Sequence, residues 1–272
     1  MKTLKIFSCL LAVVLIAASA VPAAYAATYQ LSDGLKFQLE TKEVYLAGIE
    51  DDRTVLDVPA EMNGHPVTAT TMNFAQKNTN LESVTFENAE NISIIGSYGF
   101  YNCSNLKSAN LGSYVSELYR GVFRGCTSLE TVELSDKITE IPYECFYDCS
   151  SLGQITLGRN ITSIQSNSFT GCPNLIIRCY TDSYAHHFAV DNKIAHILID
   201  GTQNGDVNGD GAVDILDATD IQKYAAESTD FTDEQFELGD INKDGYCDVI
   251  DALLVQKSVI GAYEIPPIVV RY

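Results

Sequence analysis

The chain has 272 residues, with 36 acidic against 17 basic side chains, a formal net charge of −19 and a mean hydropathy of +0.02. That length allows one large or two modest domains. The acidity disfavours nucleic acid and anionic membrane as partners, and suits either cation binding or plain solubility.

Residues 1–26 read as a signal peptide. Lys2 and Lys5 give a charged start, Ile6 to Ala20 an apolar run, and Ala24-Tyr25-Ala26 a cleavage site. The run is too short, and too near Pro22, to be read as a membrane span; an uncleaved anchor is the alternative. Losing Lys2 and Lys5 takes the formal charge to −21. The expectation is a secreted, extracellular protein with no membrane insertion. Cys9 leaves with the segment, and the seven cysteines that remain cannot all pair within one chain.

Residues 27–66 form an N-terminal edge. Leu35 to Leu39 and Val44 to Leu46 alternate as short strands, and Val58-Pro59 and Asn63-Gly64-His65-Pro66 signal turns. A 23-residue period then begins. Cys103, Cys126, Cys149 and Cys172 share it with Phe100, Phe123, Phe146 and Phe169, and with Leu106, Leu129, Leu152 and Leu175. Ile92, Val115, Ile138 and Ile161 open the units, and Ile95, Leu118, Ile141 and Ile164 fill a second apolar slot. A worn copy from Val67 keeps Leu81, Val84 and Phe86, but sets Phe74 one place early and puts Asn78 in the cysteine slot. Such a period means a solenoid, in which each coil buries its apolar residues only against its neighbours. The Asn-for-Cys exchange points to a column of small buried polar groups bonding the main chain. Disulfides and a metal site are the alternatives, since adjacent coils lie roughly 4.8 Å apart.

The F-x-x-C-x-x-L units resemble the BspA-like leucine-rich repeats of bacterial surface proteins. The solenoid is expected over 67–200, with Ser183 to Val190 as a helical cap shielding the last coil. Ser108, Asn110, Thr131, Glu133, Gln154 and Thr156 should face outward from the strands, giving a small polar surface without an aromatic row. Tyr98, Tyr101, Tyr143 and Tyr147 lie elsewhere in the coil, either as a patch or scattered. The ligand of the repeats is not legible.

After a linker at 201–205 come two copies of one acidic loop. Asp206, Asn208, Asp210, Asp214 and Asp217 stand at positions 1, 3, 5, 9 and 12 of the first, with Gly211 at 6; Asp240, Asn242, Asp244, Asp248 and Asp251 repeat the set around Gly245. This is calcium-loop spacing, with the carbonyls of Ala212 and Tyr246 at position 7 completing each shell. Two Ca2+ ions are expected, and folding of the region should be linked to them. Helices should follow near 215–226 and 249–260. A short third one between them is marked by Thr232 and Gln235 as a capping box, with Phe231 and Phe236 at staple positions. Cys247 matches Val213 and reads as a core residue.

Position 12 is Asp rather than Glu, and no helix precedes the first loop. This duplicated F-hand, over about Gly205 to Ala262, resembles the type I dockerin of cellulosomal proteins. The resemblance implies a calcium-dependent module at 206–263, followed by a tail at 264–272, that binds the cohesin of a scaffoldin in a context of polysaccharide catabolism. It carries partner contact onto Ile215, Leu216, Gln222 and Lys223, and onto their repeats Val249, Ile250, Gln256 and Lys257, with two binding orientations allowed. Ile215 and Val249 are also candidates for core, and the lysines for plain solvation. From Asp206 to Lys257 there are fourteen Asp or Glu and only three Lys.

No catalytic constellation stands out. Glu133 and Glu140 are scattered acids rather than a converging pair, no G-x-S-x-G occurs, Cys145 and Cys149 lack a sequence-level base, and His186 and His187 project about 100° apart on a helix. The expected fold is mixed, a leucine-rich-repeat solenoid of short stacked strands plus a small all-α dockerin with two calcium loops. The expected role is a secreted, non-catalytic adaptor; the alternative is a cryptic hydrolase or an enzyme inhibitor.

Overall fold

The structure is a computed structural model that describes residues 29–201 and 203–271. The signal-peptide reading of 1–26 falls outside them. Two compact units are formed: one runs to Thr156 and includes Asn160–Leu175; the other comprises Leu157–Arg159 and Ile176 onward.

In the first unit, β1 (Tyr29–Ser32), β2 (Leu35–Glu40) and β3 (Glu43–Ile49) form an antiparallel meander with alternating burial. After β4 (Val55–Asp57), β5 (Glu61–Met62) and β6 (His65–Thr70) make a hairpin. Asn63 (φ 52°) and Gly64 (φ 77°) supply the two positive dihedrals that a two-residue hairpin needs. The coils then alternate β7 (Ser83–Thr85), β8 (Ile94–Ile95), β9 (Ser108–Asn110), β10 (Glu117–Leu118), β11 (Thr131–Glu133), β12 (Glu140–Ile141), β13 (Gln154–Thr156) and β14 (Ser163–Ile164). β4, β7, β9, β11 and β13 pair in parallel register, and β3, β6, β8 and β10 do so on a second ladder.

A third ladder runs through the F-x-x-C turns. Phe100 N donates to Val122 O (2.8 Å), Phe123 N to Cys145 O (2.9 Å) and Phe146 N to Ser168 O (2.8 Å). Successive phenyl rings stack: Phe100–Phe123, Phe123–Phe146 and Phe146–Phe169 are 5.4, 5.6 and 5.4 Å apart and within 8° of parallel. The worn copy differs. Phe74, one place early, meets Phe100 edge-on at 89°.

The cysteine column is a ladder of thiols. Sγ of Cys103, Cys126, Cys149 and Cys172 donates to the carbonyls of Ala75, Phe100, Phe123 and Phe146 at 3.0–3.1 Å, each on the coil before. All seven described cysteines are free. Burial pushes the Cys103 thiol up to about 12 and those of Cys126 and Cys149 well above the ordinary value. Asn78 works the other way: its Oδ1 accepts from the N–H groups of Asn80 and Leu81, both at 2.9 Å, within its own coil.

In the second unit, β15 (Ile176–Cys179), α1 (Tyr184–Asp191) and β16 (Ala195–Leu198) form a parallel strand–helix–strand crossover, with Ser183 capping the helix. His186 and His187 stack at 5.7 Å, and His186 also meets the buried His196 at 5.2 Å. Three helices follow: α2 (Ile215–Ala225), α3 (Asp233–Gly239) and α4 (Val249–Val259). Val207, Ala218, Ile221, Leu238, Ile241, Cys247, Ala252 and Val255 form their core. The Thr232–Gln235 capping box closes in both directions. Phe231 and Phe236 both pack on Tyr224, at 4.5 and 6.1 Å between centroids. The tail returns to β16, where His196 and Val270 exchange both main-chain hydrogen bonds.

Candidate functional site: twin acidic loops and the helices they set

Each loop is wound by its own acidic side chains. In the first, Asp206 accepts from the N–H groups of Gly209 (2.8 Å), Asp210 (3.2 Å) and Gly211 (3.0 Å). Asn208 Oδ1 accepts from Asp210 N and Asp210 Oδ1 from Ala212 N. Asp214 caps α2 through Leu216 N, and Asp217 reaches back to Asp214 N, Val207 N and Asn208 N. The second loop repeats this closely: Asp240 to Asp244 N and Gly245 N, Asn242 to Asp244 N, Asp244 to Tyr246 N, Asp248 to Ile250 N, and Asp251 to Asp248 N, Ile241 N and Asn242 N. Gly211 and Gly245 at position 6 have φ of 89° and 88°, a region L side chains rarely adopt.

The ends of each loop are buried: Asp206 and Asp217 are 2% and 0% exposed, Asp240 and Asp251 6% and 0%. Positions 3 and 5 lie at the surface. None of these four carboxylates is in a salt bridge among the described residues. Burial pushes the Asp217 carboxyl up from its ordinary value, against the N–H bonds from Asp214, Asn208 and Val207 that lower it, and the Asp206 charge adds to the rise. A buried charge with no countercharge is costly, and a hard cation is its natural complement. The donor set fits that group, being entirely oxygen, mostly anionic and folded around a tight turn. Among the described residues, no three His, Cys, Asp or Glu side chains are drawn in to ligand spacing.

The loops aim two helix faces outward. Ile215 and Leu216 are 52% and 56% exposed, Val249 and Ile250 61% and 50%. Gln222, Lys223 and Lys257 are exposed and Gln256 half-buried. The core function open to Ile215 and Val249 in the sequence falls instead to Ala218, Ile221, Ala252 and Val255.

Residues 70–184 match the BspA type Leucine rich repeat region, in six copies, and residues 204–260 match the Dockerin type I domain. The chain carries a BspA-type leucine-rich repeat region followed by a type I dockerin domain. No curated protein is significantly similar to it. Among solved structures, a leucine-rich repeat protein of T. pallidum superposes with a TM-score of 0.50 at 19% identity, covering 55% of this chain and 70% of that one. A leucine-rich repeat protein of Bacteroides ovatus gives 0.42 at 18% identity, covering 56% and 50%, and a leucine rich cell surface protein of Faecalibacterium prausnitzii 0.39 at 20%, covering 60% and 56%. The first of these likenesses supports the solenoid fold alone. Type I dockerin domains bind calcium, and a dockerin implies cohesin binding in a cellulosome-type assembly. Both domains are non-catalytic binding modules. No helix among the described residues is long and apolar enough to cross a membrane.

In the repeats, the strand residues expected outside are exposed or half-buried, with Ala109, Val132 and Ile155 buried between them. The coil tyrosines are not scattered. The Arg120 guanidinium lies 4.7 Å from the Tyr143 ring centre and 5.8 Å from that of Tyr98, and Arg124 lies 4.6 Å from that of Tyr147. Both arginines hold the buried Glu144, at 3.1 and 2.5 Å. The signal was the 23-residue offset itself, which sets Tyr98 and Glu144 on either side of Gly121 in one column, and Tyr101, Arg124 and Tyr147 in another.

Proposed function

We propose that this chain is an extracellular, non-catalytic adaptor of a cellulosome-type complex. Two calcium ions fold its dockerin, and one of the duplicated helix faces docks a scaffoldin cohesin. The repeats hold a second partner, a protein, cell surface or glycan. The first ion would be held by Asp206, Asn208, Asp210, Asp214, Asp217 and the Ala212 carbonyl; the second by Asp240, Asn242, Asp244, Asp248, Asp251 and the Tyr246 carbonyl. The observation that carries this reading is the recurrence, 34 residues apart, of buried loop carboxylates that no basic side chain among the described residues neutralises, each pair beside an exposed aliphatic pair. The ions supply positive charge, and what the chain's own residues do is set the angle at which α2 and α4 present their faces. Secretion is supported by the N-terminal sequence pattern and by the company dockerins keep.

The test is capture of the full chain by immobilised type I cohesin modules, with calcium and then with excess EGTA. Binding that needs calcium and returns on its re-addition is expected. Retention unchanged by chelation, or failure to bind any module of a broad panel, would overturn the reading.

A further inference from the structure

We propose that the two halves of the dockerin are not interchangeable, and that the second half carries the cohesin contact. The inference rests on the function proposed above and concerns which residues of that surface set affinity. The duplication predicts two equal faces related by an offset of 34. The side chains at matched positions are unequal. Position 7 is Ala212 in the first half and Tyr246, 70% exposed, in the second. Thr219 is matched by Leu253, 43% exposed, and Ala226 by Ile260, 77% exposed. Val249, Ile250, Leu253 and Ile260 are spaced to share one helical stripe. In the first half the equivalent stripe keeps only Ile215 and Leu216 as large exposed apolar residues.

The polar groups differ in the same direction. Thr219 Oγ1 donates to Ile215 O at 2.8 Å and is spent on its own helix. Lys223 pairs with Asp220 at 2.8 Å. Leu254 replaces that aspartate in the second half, and Lys257 meets no carboxylate among the described residues. The third lysine, Lys243, donates to Glu237 O at 2.5 Å. The second half therefore offers a broad apolar stripe beside an unpaired cation. Interface energy concentrates where large apolar side chains become fully desolvated, with charges at the rim setting orientation. The partner it fits is a cohesin surface with an apolar patch flanked by a carboxylate that meets Lys257. Such a cohesin selects one of the two orientations that the duplication otherwise allows.

The experiment is titration calorimetry of the calcium-loaded full chain against the tightest-binding module of a type I cohesin panel. Val249→Ala with Ile250→Ala should weaken binding by roughly 30-fold or more, the range of interface hot spots. Leu253→Thr, which writes the first-half residue into the second, should cost about tenfold, one side chain's share of such an interface. Ile215→Ala with Leu216→Ala should change affinity by less than about threefold, as rim contacts do. Circular dichroism with calcium checks that every variant folds, and Leu253→Thr keeps the test decisive if the paired alanines do not. Equal losses from the two paired variants, or no loss until all four residues are replaced, overturn the inference while leaving cohesin binding intact. A wild-type chain that binds no cohesin sinks the proposed function itself. A wild-type dimer that Leu253→Thr dissociates would assign the stripe to self-association and overturn the cohesin assignment.

Discussion

The repeats and the dockerin are both built by duplication, yet they treat buried charge in opposite ways. In the repeats the buried carboxylate of Glu144 is met by two guanidiniums from the preceding coil, and the buried thiols donate to the carbonyls of the coil before. Each copy supplies what the previous copy lacks. In the dockerin the duplication copies the deficit: Asp206, Asp217, Asp240 and Asp251 are buried with main-chain N–H bonds and, among the described residues, no salt bridge. A stack can close its interactions internally, because every coil has a neighbour. A two-unit module with eight buried residues in its core has little to spend, and small domains of this kind usually need a metal or another staple.

Metal removal should break the pair apart most completely. With excess EGTA the helical circular dichroism of α2 to α4 should collapse while the β-rich signal of the repeats persists. The expected stabilisation on calcium is about 4 kcal/mol at a thousandfold excess over its dissociation constant. Helical signal indifferent to chelation would mean that the N–H bonds alone hold the loops. The reciprocal cut is Phe123→Ala, which removes the ring stacked between Phe100 and Phe146. It should destabilise the repeats by roughly 3–5 kcal/mol, as buried phenylalanines do, and leave the calcium-dependent helical transition in place. Urea denaturation followed at both signals reads the two effects separately.

The sequence showed most of what repeats and little of what a coil does between its repeating positions. The Phe, Cys and Leu columns could be read because identical side chains recur at one offset, and the structure stacks them in that register. The loop positions could be read because the same residue types recur at an offset of 34, and the structure winds both loops with matching N–H bonds. The crossover after Leu175 was half visible: the helix had a period, but Ala195 to Leu198 has too few residues to show one. The left-handed turns were harder. Asn102, Gly125, Asp148 and Gly171 all have positive φ just before the cysteine column, and only the preference of Asn, Asp and Gly for that region marks them. The tyrosine–arginine contacts are not legible as a repeat, because Tyr98, Gly121, Glu144 and Asn167 in one column and Tyr101, Arg124, Tyr147 and Thr170 in the next change from copy to copy, so complementarity between unlike neighbours shows only in space.

The smallest expected effect tests whether the stack's internal neutralisation has any energetic weight. Burial pushes the Glu144 carboxyl up, but hydrogen bonds from Arg124 and Arg120 outweigh it and leave the group below its ordinary value of 4.5. A carboxyl depressed in the folded state stabilises fully above its unfolded value, and the contribution fades as pH falls through that value and then through the folded one. Lowering the pH from 7 toward 3 should therefore cost the wild-type repeats more than it costs Glu144→Gln, which cannot titrate there. The difference should be about 1 kcal/mol, because Arg120 is half-exposed and water screens its share. Urea midpoints of the β signal across that range measure it. Parallel curves for the two proteins would mean that the arginines are held by their tyrosine rings alone. The one buried carboxylate among the described residues of the repeats would then not depend on its neighbours, and the contrast with the dockerin would reduce to a difference in core size.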